Sequence, residues 1–333
     1  MDGLGKADLV LGSEQVDATD LAQVHADGVR EEVRDQLHSM RNQADREPLD
    51  IAKDLRDFGE DLVDEGLWAA GETVLLEAVA VHGTMTDPDP DDQVRTLVIL
   101  CGALAAQGKQ AEANSRLLQA EELVMATHGE ASLEHAEDVL YPIGRRFSWC
   151  DQGQEAVALF RRAAETCNPL GQAGIRRCRL AELRLGVELA HLGEAEEAIQ
   201  IGQDQVRYWR ETRGKTYWAT GEAKMILGLA HLRKGHLETA EKELRDALQT
   251  MQRNLEERDN PAGFAGFQTA LAECLTLRGQ FDEAESLLLS AHDLVREYGK
   301  NHPRSQRMVR QQFVALYDAW GMPAKAARWR GTI

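Results

Sequence analysis

The chain has 333 residues, only 5% of them aromatic, and a formal net charge of −18 so unevenly spread that residues 1–100 hold 24 acids against 8 bases. Five cysteines, odd in number and without C-x-x-C spacing, exclude a disulfide framework or a thiolate zinc site, and no apolar stretch approaches the ~18 residues of a membrane span. Nucleic-acid binding needs positive charge clustered along a contact face, so neither nucleic acid nor membrane is an expected partner.

In chain order, residues 1–19 are rich in Gly and Asp and are expected to be disordered, and a helical segment follows over 20–49. The start "MDGLGKADLVLGSEQ" lacks a basic stretch followed by an apolar core, so it does not read as a signal peptide, and a cytoplasmic location is expected. From residue 50 to 333 one pattern recurs seven times, beginning with "FGEDLVDEGLWAAGETVLLEA" at Phe58 and "LCGALAAQGKQAEANSRLLQA" at Leu100. The third copy, from Ile143, is the least regular. The fourth and fifth, from Leu185 and Leu227, are the cleanest, and the sixth begins at Leu271 and the last at Phe313. Taking one turn residue per copy gives Gly66, Gly108, Asp151, Gly193, Gly235, Gly279 and Gly321, at intervals of 42, 43, 42, 42, 44 and 42.

Before each turn, apolar residues spaced by three and four form one stripe of a helix, helix A. A Gly at the turn takes positive φ without steric cost and lets the chain reverse. After it, residues such as Ala240, Leu244 and Ala247 form a second stripe, helix B, whose alanines allow close crossing. A single helix pair cannot bury its apolar face, so the pairs must stack into a solenoid with one continuous core.

With Gly228, Gly235, Leu237, Ala240, Leu244 and Ala247 at its signature positions, the fifth copy resembles the tetratricopeptide repeat family. The long period, against the usual 34 residues, is similar to that of kinesin light chains and many bacterial signalling proteins. "YGKNHP" at Tyr298–Pro303 resembles the Gly-x-x-His-Pro loop of that subgroup, and "LYDAWGMPAKAARWR" resembles the ends of repeat regions attached to bacterial serine/threonine kinases. The resemblance covers roughly residues 50–333 and implies an all-α, right-handed α-solenoid of seven helix-turn-helix repeats, the last a C-terminal cap.

Catalytic patterns fail. "RGKT" at Arg213–Thr216 lacks the first Gly of a phosphate loop, and G-x-S-x-G, H-E-x-x-H and G-x-G-x-x-G do not occur. His191 and His231 sit in adjacent A helices but read as surface or packing residues, so no metal, no cofactor and no enzymatic activity are expected. The acids of "DPDPDD" at Asp87–Asp92 precede a helix, where they favour the positive end of its dipole.

What remains is a binding surface. The family resemblance implies a concave groove lined by residues ten, six and three before each turn. In copies one to three these include Arg56, Glu60, Val98, Gly102, Tyr141 and Arg145; in copies four to six, Leu183, Val187, Met225, Leu229, Leu232, Thr269 and Glu273. None of the groove positions is Lys or Asn, so the carboxylate clamp of some family members is not supported. Copies two, four and five present only apolar residues, which implies an exposed patch for a peptide, an amphipathic helix or the protein's own N-terminal segment. A second candidate is the aromatic and basic segment Tyr208, Trp209, Arg210, Arg213, Tyr217 and Trp218, read either as a binding hot spot or as filling between two repeats.

The expected function is therefore a non-catalytic protein-interaction scaffold in bacterial signalling or assembly, holding a peptide or helix of a protein partner in its groove. The alternative is a regulatory receptor whose groove takes a small peptide or its own N-terminus and controls a partner. From Lys300 onward seven bases face one acid, so self-association through the acidic N-terminal and basic C-terminal ends is a further expectation.

Overall fold

The computed structural model describes residues 46–129, 132–167, 171–254, 261–299 and 302–330, with single positions at 31, 33, 35 and 39. The chain divides into two units, Met1–Arg46 and Glu47–Ile333. The disorder expected over 1–19, and most of the helix expected over 20–49, lie outside the described residues. Everything below concerns the second unit.

Its described residues form seven helix pairs and no strand. The pairs are α1 (Pro48–Asp64) with α2 (Trp68–His82), α3 (Pro90–Ala106) with α4 (Gln110–His128), and α5 (Tyr141–Trp149) with α6 (Gly153–Cys167). They continue with α7 (Gly171–Leu192) and α8 (Ala195–Thr212), α9 (Trp218–Arg233) and α10 (Leu237–Gln252), α11 (Pro261–Leu277) and α12 (Phe281–Tyr298), and α13 (Pro303–Ala319) and α14 (Pro323–Arg330). Each odd-numbered helix is the A helix of its repeat, and the architecture is a tetratricopeptide-like α-solenoid.

All seven turn residues have positive φ, between 66° and 89°. At Gly235 the chain closes helix A by two reverse bonds, from the Gly235 N–H to the Leu232 carbonyl and from the His236 N–H to the His231 carbonyl. This double closure satisfies carbonyls that the helix end leaves bare. A Cβ at Gly235 would meet nothing within 4 Å, so the cost of a side chain there is purely one of backbone conformation. Gly235→Val should destabilise the protein by about 1–3 kcal/mol, measured as a lower urea midpoint with unchanged helical content.

Packing inside a repeat depends on small residues. Ala240, Leu244 and Ala247 are fully buried, and a Cβ on Gly228 would fall 2.5 Å from Leu244 Cγ, so α9 and α10 cross too closely for any side chain there. Between repeats, ion pairs such as Lys109–Glu72, Arg161–Glu197 and Arg245–Glu283 join the B-helix side of one repeat to that of the next. Being partly exposed, each contributes little on its own. The second repeat opens on a side-chain cap: the Asp89 carboxylate accepts from the N–H groups of Asp91 and Asp92 at 3.1 and 3.3 Å.

The third repeat departs from the pattern twice. A π-helical segment, His135–Leu140, leads into α5, with the Tyr141 N–H bonding back to the Ala136 carbonyl. Pro142 follows directly; it has no N–H and would crowd the carbonyl four residues earlier, and the wider π turn relieves that conflict. The turn itself is made by Asp151 at φ 66°, the one non-glycine residue with positive φ among those described. Its carboxylate is used elsewhere, as the next subsection describes.

Candidate functional site

The solenoid curves so far that α13 of the seventh repeat packs against α5 of the third. Several polar contacts fasten that junction. Arg304 Nη1 donates to Glu188 Oε2 at 2.5 Å and to the Ser148 carbonyl and Oγ at 3.2 Å, while Ser148 Oγ donates to Glu188 Oε1 at 2.6 Å. Glu188 is 4% and Arg304 11% exposed, which makes this a buried pair. Arg304 also lies 3.6 Å from the Asp151 carboxylate, and Arg307 pairs with the same carboxylate. The irregular turn residue thus serves as an anchor for the last repeat. Beside it the His302 ring stacks on Trp149 with centroids 4.1 Å apart. Burial, reinforced by the nearby Arg145 and Arg146 charges, lowers the His302 pKa to about 4, so the stacked ring is neutral at physiological pH.

Behind this latch lies a cavity of about 670 Å³ walled by the A helices of five consecutive repeats. Its lining includes the polar Tyr141, Arg145, Arg184, Glu188, His191 and Glu273 and the apolar Val187, Met225 and Leu229. Gly266 of α11 faces it with nothing within 4 Å of where a Cβ would stand. His191, hemmed in by burial and by the Arg304 and Arg233 charges, is also held neutral.

Of the residues expected to line a groove, Tyr141, Arg145, Val187, Met225, Leu229, Thr269 and Glu273 come together at this cavity. The others do not. Leu183 and Leu232, at 0% and 4% exposure, belong to the core. Arg56 pairs with Asp57 and Asp92, and Glu60 with Arg146 at 3.3 Å. Val98 is buried, and Gly102 leaves room for the Arg146 side chain, whose Cδ would lie 2.2 Å from a Cβ there. The large exposed apolar patch expected from copies two, four and five is absent from the described surface: Val98, Ala105, Leu183, Val187, Ala190, Met225, Leu229 and Leu232 are each at most 8% exposed. Helix A of one repeat is covered by the next, so most apolar positions on it are spent on stacking.

The aromatic segment is likewise a junction. Trp209 is 2% exposed and donates its indole N–H to Gln205 Oε1 at 2.7 Å. Its ring lies within 5.4 Å of Tyr208 on one side and Tyr217 on the other, with Trp218 next to Tyr217. These rings fill the seam between α8 and α9, while Arg210 and Arg213 remain exposed. His231 lies against His236, with ring nitrogens 3.5 Å apart. Of the seven C-terminal bases, Arg304, Arg307, Lys325 and Arg330 pair within the fold.

Trp149, Arg184, Glu188, His191, Gly266, His302 and Arg304 were not foreseen as site residues. Only the His-Pro loop carried a signal, since His302 sits in "YGKNHP". Among the described residues no group of three or more His, Cys, Asp or Glu side chains is arranged to hold a metal ion, and no helix is long and apolar enough to cross a membrane.

The sequence matches no protein-family model, and no curated protein matches it either. Solved structures do. NprR in complex with its cognate peptide NprX superposes with a TM-score of 0.59 at 15% identity, covering 94% of this chain and 85% of that one. The Rap conjugation gene regulator of the plasmid pLS20, in complex with the Phr* peptide, gives 0.53 at 16% identity over 84% and 82%. A protein of nearly identical tetratricopeptide-like repeats, a putative kinesin light chain of Podosopora anserina, gives 0.51 at 16% identity over 63% and 98%. At such identities the likeness is one of fold.

Proposed function

We propose that the protein is a non-catalytic peptide receptor of a signalling pathway, whose inner cavity takes a short peptide. The observation that carries this reading is the cavity itself. About 670 Å³ lined by five A helices and bounded by an interrepeat latch lies within the ~300–1,000 Å³ range of small-ligand pockets. That size suits a peptide of a few residues or the end of a longer one, and it disfavours an amphipathic helix lying along an open groove. Two solved solenoids of this fold hold peptides, which supports the same reading. Because the walls come from separate repeats, an occupant would bias how the repeats sit against one another, and a partner could read that change.

The test is affinity selection from a pooled library of random tetrapeptides, half free acids and half amides, with retained sequences identified by mass spectrometry. Gly266→Phe fills the cavity from a helix position with open space in front of it, and Gly is the poorer helix former. The expected result is a retained set for the wild-type protein that disappears in Gly266→Phe, with thermal stability unchanged or higher. Absence of retained peptides, or a set indifferent to Gly266→Phe, would remove the cavity as the binding site.

A further inference from the structure

The cavity wall carries more positive charge than its carboxylates use. Arg304 is matched by Glu188 and Asp151. Arg184 is bound to Glu222 at 2.9 Å. Arg233, just outside, takes Glu273 at 2.5 Å. Arg145 has no such match: among the described residues its guanidinium meets no carboxylate and rests only on the Trp149 ring, 4.7 Å from the centroid. The carboxylate whose charge acts on Arg145, that of Glu222, binds Arg184 through its Oε1.

An arginine drawn largely out of water without an anion is costly, because its charge goes unanswered. Burial, and after it the neighbouring Arg184, pulls the Arg145 guanidinium below its usual range, although an arginine still carries its charge at neutral pH. The Trp149 ring holds the guanidinium by a cation–π contact, which takes none of its N–H donors into a hydrogen bond. Trp149 is itself clamped by His302, so the platform is built by both ends of the latch.

We infer that Arg145, seated on Trp149 with Tyr141 alongside, is the recognition point for a carboxylate of the bound ligand, whose apolar remainder lies against Val187, Met225 and Leu229. This rests on the peptide-receptor reading above and specifies which peptides the receptor takes. A carboxylate can come from a free C-terminus or from an Asp or Glu side chain, and planar guanidinium donors serve either.

Three tetrapeptide pools separate the sources: free acids without Asp or Glu, amides containing Asp or Glu, and amides without either. Enrichment from the first pool assigns the site to a C-terminus, from the second to an acidic side chain, and each supports the inference. In Arg145→Met that enrichment should fall by about tenfold or more. Equal retention from the third pool, or retention indifferent to Arg145→Met, would overturn carboxylate recognition while leaving peptide binding intact; no retention from any pool would defeat both readings. Melting of the unliganded protein gives a separate check. Since Arg145 has no internal anion to lose, Arg145→Met should melt at or above the wild-type temperature. A drop of several degrees would show that the arginine is structural, and would sink the proposal.

Discussion

Arg304→Met is expected to cost about 3–5 kcal/mol, the penalty for breaking a buried ion pair by removing one partner. Among the described residues the guanidinium is the only cation bonded to Glu188, and without it that carboxylate stays buried with the Ser148 hydroxyl as its remaining described partner. Against a total stability of ~5–15 kcal/mol, such a loss is severe. Its distribution along the chain is the more telling measurement. In a linear solenoid each repeat contacts only its neighbours, so damage to the last repeat stays local. Here the broken pair joins residues 116 apart, across three repeat boundaries. Amide hydrogen exchange should therefore quicken in α5 and α7 as well as in α13. Adding Glu188→Gln to Arg304→Met should restore part of the loss, because the stranded charge is then gone. Wild-type urea stability, or faster exchange confined to α13 and α14, would show that the latch does not hold the ring of A helices together.

The same latch marks the boundary of what the sequence makes legible. Turn positions can be read because positive φ falls on Gly, and six of the seven turns use it. Asp151 is visible as an exception, yet its reason lies with Arg304 and Arg307, more than 150 positions later, and no local pattern connects them. The site was legible in part for a similar reason. The position six before the turn does reach the cavity in four successive repeats, as Arg145, Val187, Leu229 and Glu273. Ten before the turn, Tyr141, Met225 and Thr269 reach it but Leu183 does not. Gly266, Arg304, Ser305 and Met308 come from earlier turns of their helices, because α11 and α13 meet the cavity nearer their N-terminal ends. A fixed offset assumes that every repeat presents the same face, and a ring that closes on itself does not allow that.

Leu183→Glu should unfold the protein or destabilise it by more than about 4 kcal/mol, combining a lost buried leucine at ~2–5 kcal/mol with an unpaired buried carboxylate. Read as a groove residue, Leu183 would accept Glu at little cost. At 0% exposure, inside the continuous core, it cannot. Leu118→Glu supplies the control: Leu118 is 58% exposed on α4, and its replacement should shift stability by no more than about 0.5 kcal/mol. The pH dependence then identifies the cause. A carboxyl at position 183 would have its folded-state pKa raised by burial, so at pH 7 it binds protons more readily when folded than its unfolded value of ~4.3 allows. The charge-related part of the penalty is fully present above the folded pKa and disappears as pH falls toward the unfolded value. Urea midpoints of Leu183→Glu and the wild type should accordingly approach one another between pH 7 and pH 5, while the packing part of the loss persists. A variant as stable as Leu118→Glu at pH 7 would return Leu183 to the groove surface, and with it the open apolar face that the cavity has replaced.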